Sequence, residues 1–262
     1  MSGLLENPFL IALAVLALLG IVFAQSALEA NSSSTLSASN VNVAKSQLST
    51  ANGLNFDIYS SGPDNARVGI LIVHDWFGIS EFTKESVARL GSQGYRVVAV
   101  DLYDGDSATT HQDAFAYMNA VDPTVALGKI DAAINYLSRP NRKIATMGFS
   151  MGAPYALEAN LQRPEDISAT VLFYGEMERD PSRLQSLESP VLVLMGSGDN
   201  PEGVFEFSRQ MDSVGKEAEI YIYPQVGHAY AQPLFNQGAN YDETATRLSW
   251  VLVDDFLERH TR

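Results

Sequence analysis

Lys143-Ile144-Ala145-Thr146-Met147-Gly148-Phe149-Ser150-Met151-Gly152-Ala153-Pro154-Tyr155-Ala156-Leu157 sets a short apolar run, a Gly-x-Ser-x-Gly pentapeptide and the start of a helix-like stretch end to end. The run ending at Phe149 has the length and residue types of a buried strand, and residues 153–162 read as an amphipathic helix. A chain that turns from strand into helix at a serine holds that serine on a strained turn, where side chains at the flanking glycine positions would collide with neighbouring backbone. Ser150 is therefore expected to stand in a cleft as a nucleophile. The Met151 amide, at the helix N-terminus, is expected to point where a negative oxygen would develop. The competing reading is that Ser150 is a plain helix cap; a strand directly before it and a helix directly after it favour the elbow.

Outward from this point the rhythm repeats. Residues 68–74, 95–100, 169–175, 190–196 and 219–223 read as strands, and 81–93, 124–137, 202–214 and 242–260 as helices. Such alternation is the pattern of βαβ units and a parallel sheet. Wholly apolar strands such as Val-Leu-Val-Leu-Met at 191–195 imply burial on both faces. The expected fold class is α/β, an α/β-hydrolase fold with a mostly parallel sheet and helices on both faces. Ligands in such sheets bind beyond the carboxyl ends of the strands, so polar residues directly after strands carry the interest: Asp75, Asp101, Ser150, Glu176 and Asp199.

A serine hydroxyl needs a base, and this architecture supplies its partners in the order serine, acid, histidine. Two histidines follow Ser150. His260 ends a charged helix, where a solvated role is expected, whereas His228 lies in a glycine-bearing loop between a strand and the last helix. Between serine and histidine, Asp199 directly follows a strand and is the expected orienting acid, in preference to Asp166, Glu176 and Asp180. Its alternative is an ordinary turn aspartate. The Trp76 amide, in the loop after the 68–74 strand, is the expected second oxyanion donor. His74 is read as bonding within that loop, His111 as a loop or lid residue, and Asp101, Asp104 and Asp106 as a solvated loop without the spacing of an EF-hand. Trp76, Tyr103, Tyr174 and Tyr230 fall near strand ends, as pocket wall or as core.

These segments resemble the dienelactone hydrolase family from about residue 54 to residue 260. The resemblance rests on His-Asp-Trp-Phe-Gly at 74–78, 94–106, Gly-Phe-Ser-Met-Gly-Ala at 148–153, Gly198-Asp199, and 223–230 with 235–245. It implies an esterase or lactonase with Ser150, Asp199 and His228 as triad and Met151 and Trp76 as oxyanion donors. Asp75, Tyr103, Tyr230 and Gln232 are then expected to bind a small ester or lactone. Members that open dienelactone carry cysteine at the Ser150 position, glutamate at Asp75 and arginine at Gln232. Glutamine there implies a pocket favouring neutral substrates over free carboxylates. A serine peptidase or acyltransferase on the same triad, or a tethered binding protein with an idle triad, are the competing readings.

Composition narrows the classes further. The net charge of −14, from 17 basic and 31 acidic residues, opposes a nucleic-acid partner. The chain has no cysteine, which excludes disulfides and thiolate chemistry, and its four histidines are too scattered to suggest a zinc site. No cofactor or metal is expected. Residues 9–24 form an uncharged apolar run, so residues 1–28 are read as a signal peptide or an N-terminal membrane anchor and tether. Either places the protein outside the cytoplasm, secreted or anchored. Residues 29–53, rich in serine and asparagine, are read as a linker, and residues 54–262 as the hydrolase domain.

Overall fold

The computed structural model describes residues 42–233 and 235–262. Eight strands form one sheet: β1 (Ala44–Ser49), β2 (Asn55–Ser61), β3 (Val68–Val73), β4 (Arg96–Val100), β5 (Lys143–Phe149), β6 (Ile167–Phe173), β7 (Val191–Gly196) and β8 (Ala218–Tyr223). Their order is β1-β2-β4-β3-β5-β6-β7-β8. The pairs β1–β2 and β2–β4 are antiparallel and the remaining pairs parallel. Seven α-helices accompany them among the described residues: α1 (Glu81–Ser92), α2 (His111–Ala120), α3 (Pro123–Leu137), α4 (Gly152–Gln162), α5 (Pro181–Leu184), α6 (Pro201–Ser213) and α7 (Glu243–Thr261).

Every residue of β3 and β7 is buried, as expected of strands covered on both sides. Strand β5 shows how the two layers divide. Thr146 Oγ1 donates to Ala156 O of α4 at 3.0 Å. Phe149, three residues on and therefore facing the other way, packs its ring 4.9 Å from Phe82 of α1 and 6.4 Å from Trp250 of α7. Helix α4 thus covers one face, and α1 and α7 the other, where Arg89 pairs with Asp254 at 2.8 Å.

The helices start where the sequence supplies caps. Ser80, Thr110, Asp122, Asn200 and Asp242 each accept a hydrogen bond from a first-turn amide, and Pro123 and Pro201 open α3 and α6. Helix α4 differs: its N-cap is Met151, with no side-chain cap.

Two segments differ from expectation. The stretch 29–53 is not all linker, because Ala44–Ser49 pairs along its whole length with β2 and is fixed by a 2.7 Å Lys45–Asp57 ion pair. The folded domain therefore begins about ten residues before Leu54, at an edge strand that is polar because only one of its sides meets the sheet. The polar stretch around His111 is helical, with Ala114 its buried residue. The leader and tether at residues 1–28 lie outside the described residues. Among those described, no helix is long and apolar enough to cross a membrane.

Candidate active site

Strand β5 delivers Ser150 to the carboxyl end of the sheet, with φ at +49° in the left-handed region. The two glycines are sterically required. A Cβ on Gly148 would meet Gly152 O at 2.3 Å, and one on Gly152 would meet Val73 O at 2.3 Å and His74 O at 2.5 Å. Ser150 N donates to Phe173 O at 2.9 Å, pinning the turn to the end of β6.

Ser150 Oγ lies 2.9 Å from His228 Nε2, and His228 Nδ1 lies 2.6 Å from Asp199 Oδ2. A linear hydroxyl–imidazole–carboxylate relay needs these contacts on opposite ring nitrogens, with Nδ1–H donating to the carboxylate and Nε2 free to take the serine proton. Backbone packing holds the partners. Gly198 N donates to Val226 O at 2.9 Å, and Gly196 admits the Val226 and Gly227 carbonyls where a Cβ would lie 2.3 and 2.7 Å from them. The loop after β7 that carries Asp199 and the loop after β8 that carries His228 are therefore packed directly against each other. Asn240 Nδ2 donates to His228 O at 3.0 Å from the other side. The imidazole is 34% exposed, open to an incoming substrate.

Neither the Met151 nor the Trp76 amide donates to a protein acceptor among the described residues. The uncapped start of α4 thus leaves Met151 N–H available beside Ser150, as an oxyanion donor requires. Tyr103 joins the two donor loops: its hydroxyl donates to Trp76 O at 3.1 Å and lies 3.2 Å from Met151 Sδ. Burial raises its pKa, so the phenol stays protonated and keeps that bond.

The other residues expected to bind substrate are placed differently. Tyr230 is fully buried, with its hydroxyl 2.7 Å from Ser249 Oγ and its ring edge-on to Tyr174 and Tyr223. It is core behind the triad rather than pocket wall. Gln232 and Asp75 are also buried, and Gln232 Nε2 donates to Asp75 Oδ2 at 2.7 Å. Neither presents a free group to a ligand, so the glutamine loses its role as the position that reads substrate charge. Tyr174 is core as well, its ring edge-on to His228 and its buried hydroxyl without a partner among the described residues.

The readings around His74 hold in part. His74 bonds within its loop, Nδ1 to Asp75 O at 2.6 Å, and accepts from Leu102 N at Nε2 at 3.2 Å; burial lowers its pKa to about 4. The loop at 101–106 is not simply solvated. Asp101 is buried and accepts from the Tyr103 and Gly105 amides, while Asp104 pairs with the buried Lys129 at 2.6 Å. A group sequence reasoning did not assemble is aromatic: Phe235, in a 3-10 turn at Phe235–Gly238, sits 5.7 Å from the His228 ring, 5.9 Å from Trp76 and 5.3 Å from His111.

The sheet and this arrangement at its carboxyl edge define a hydrolase of the α/β-hydrolase fold. The chain belongs to the dienelactone hydrolase family, whose model matches residues 56–261. It is similar to the carboxymethylenebutenolidase of Pseudomonas putida, 27% identical over 205 residues, covering 72% of this chain and 84% of that one. Carboxymethylenebutenolidase 1 of Cupriavidus pinatubonensis is 24% identical over 220 residues, covering 78% and 91%. Among solved structures, the dienelactone hydrolase of Anabaena variabilis superposes with a TM-score of 0.63 at 18% identity, covering 86% of this chain and all of that one, which is a likeness of fold.

Proposed function

We propose that the chain hydrolyses small carboxylic esters or lactones through a serine acyl-enzyme. The observation that carries the reading is the pair of contacts on His228, 2.9 Å to Ser150 Oγ and 2.6 Å to Asp199 Oδ2. His228 Nε2 takes the Ser150 proton as Oγ adds to the substrate carbonyl carbon, and Asp199 steadies the imidazolium that forms. The Met151 and Trp76 amides receive the carbonyl oxygen as it gains charge. Collapse breaks the carbon–oxygen bond to the leaving alcohol, which takes the proton from His228. Water, deprotonated by the same nitrogen, then attacks the acyl carbon and releases Ser150. The names of the relatives support esters and lactones as the substrate class. Labelling by a fluorophosphonate, together with turnover of an ester panel, tests the reading. Wild type is expected to label and turn over, and Ser150→Ala to do neither, with kcat/KM reduced roughly 10³-fold or more. Activity in the variant within a few fold of wild type would remove Ser150 from the mechanism.

We further propose that the domain acts outside the cytoplasm. The support is the sequence alone, the apolar run at 9–24 followed by a serine-rich tract. Fractionation of the full chain in its own host tests this, and soluble cytoplasmic protein with an intact N-terminus overturns it.

A further inference from the structure

Four side chains outside the triad, Phe235, Trp76, His111 and Phe77, form one cluster, and Phe235 joins it to His228. Phe235 stands edge-on to the imidazole, with centroids 5.7 Å apart and planes at 68°. It also stacks on His111 at 5.3 Å and 28° and lies 5.9 Å from Trp76. Trp76 contacts His111 at 5.3 Å, and Phe77, buried beneath, meets Trp76, His111 and Phe235 at 5.6, 6.1 and 6.5 Å. Trp76 and Phe235 are half-buried and His111 is exposed. The wall therefore has a packed base and an accessible rim.

Its position relative to the chemistry is informative. The carbonyl oxygen is directed to the Met151 and Trp76 amides, and the carbonyl carbon to Ser150 Oγ. The leaving oxygen must then sit at His228 Nε2, because that nitrogen hands it the proton. The group attached to that oxygen extends past the imidazole, and Phe235 is the aromatic ring that stands edge-on to that imidazole from outside the core. Trp76 fixes the wall to the same loop that supplies an oxyanion amide, so substrate seated in the oxyanion hole is seated against the wall. Faces and edges of aromatic rings favour another ring over an alkyl chain of similar area.

We infer that Phe235, with Trp76 and His111, forms a leaving-group subsite selecting esters of aromatic alcohols. This inference rests on the serine-esterase reading above. In the selected reaction the Ser150 Oγ–acyl bond forms, the acyl–OCH2Ar bond breaks, and the proton taken from Ser150 passes through His228 to the departing aryl-methanol oxygen.

Acetate esters that share one acyl group and have leaving alcohols of similar acidity isolate this subsite: ethyl, cyclohexylmethyl and benzyl acetate. For wild type, kcat/KM for benzyl acetate is expected to exceed that for ethyl acetate by about tenfold and that for cyclohexylmethyl acetate by about threefold, as an aromatic pair provides. In Phe235→Ala the benzyl-to-ethyl ratio is expected to fall to about one, in Phe235→Tyr to be retained, and in His111→Ala to fall partway. Fluorophosphonate labelling of each variant reports whether the triad is intact. A wild-type ratio near one, or equal losses for all three esters in labelled Phe235→Ala, overturns the subsite and leaves the esterase reading standing. No hydrolysis and no labelling in wild type overturns the esterase reading itself.

Discussion

Gln232 Nε2 donates a 2.7 Å hydrogen bond to Asp75 Oδ2 across 157 residues of chain, with both side chains buried. Asp75 Oδ1 accepts from Phe77 N at 2.8 Å. The carboxyl group therefore ties the loop bearing the Trp76 amide to the segment that follows His228, and so sets that amide against the imidazole. Burial raises the Asp75 pKa to about 6, opposed by the Gln232 and Phe77 hydrogen bonds and by His228.

Gln232→Leu removes the donor to Oδ2. A buried carboxylate that loses a hydrogen bond costs roughly 1 to 3 kcal/mol, and a neutral carboxyl less. The variant is expected to lose more stability in urea at pH 8, where Asp75 is charged, than at pH 5, where it is largely protonated. An equal loss at both values would show that the bond to Asp75 is not what Gln232 contributes.

Asp75→Asn separates two opposed pH effects. Asp75 has a raised folded pKa, so the native state holds a proton that the unfolded chain releases, and this contribution to stability falls as pH rises from about 4 to about 6. His74, lowered to about 4 by burial, has the reverse sign, adding stability as pH rises from about 4 to 6.5. In wild type the two largely offset. With asparagine at 75, whose amide can still pair with a rotated Gln232, the His74 contribution stands alone. The stability of Asp75→Asn relative to wild type is expected to climb by about 2 to 3 kcal/mol between pH 4 and pH 7. A difference that stays flat over this range refutes the raised pKa.

Two glycine substitutions are expected to go in opposite directions. Gly152→Ala drives a Cβ to 2.3 Å from Val73 O, and backbone cannot yield at the junction of β3 and α4. Loss of soluble protein, or several kcal/mol of stability, is expected. Gly128, inside α3, has Thr50 Cγ2 at 3.9 Å as the nearest atom to a Cβ. Gly128→Ala is expected to add about 0.5 to 1 kcal/mol through helix propensity. Thermal unfolding of the pair checks both.

Strands β3 to β8 were legible in the sequence as apolar or β-rich runs, and the meeting of Ser150, Asp199 and His228 was legible from a serine and an aspartate directly after strands and a histidine in the glycine-bearing loop before the last helix. β1 was not legible, since Ala44–Ser49 is polar on an edge and draws its order from pairing with β2. Helix α2 was missed because it buries little more than Ala114, which leaves no apolar stripe to detect. Gln232 was misplaced for another reason. Its neighbour in sequence is the catalytic loop, but its partner Asp75 lies on a distant strand end, and nothing local distinguishes a pocket amide from a buried one. Phe235 likewise joins Trp76 and His111 only through the folded chain.

The strain at the elbow can be read directly from two variants that lack the hydroxyl, Ser150→Ala and Ser150→Gly. At an ordinary position alanine is more stable than glycine by about 0.5 to 1 kcal/mol, because glycine loses more freedom on folding. At Ser150, φ is +49°. An L-residue there brings its Cβ toward the following carbonyl at a cost of about 1 to 2 kcal/mol. That term outweighs the entropy of glycine, so the usual order is expected to reverse, with Ser150→Gly the more stable by roughly 0.5 to 1 kcal/mol. Both variants lose the contact to His228 equally, so their difference reports the backbone alone. Urea unfolding at pH 7 measures it. If alanine proves the more stable, the turn is relaxed and Ser150 is not held by strain; if glycine does, the fold stores energy at the residue proposed as the nucleophile.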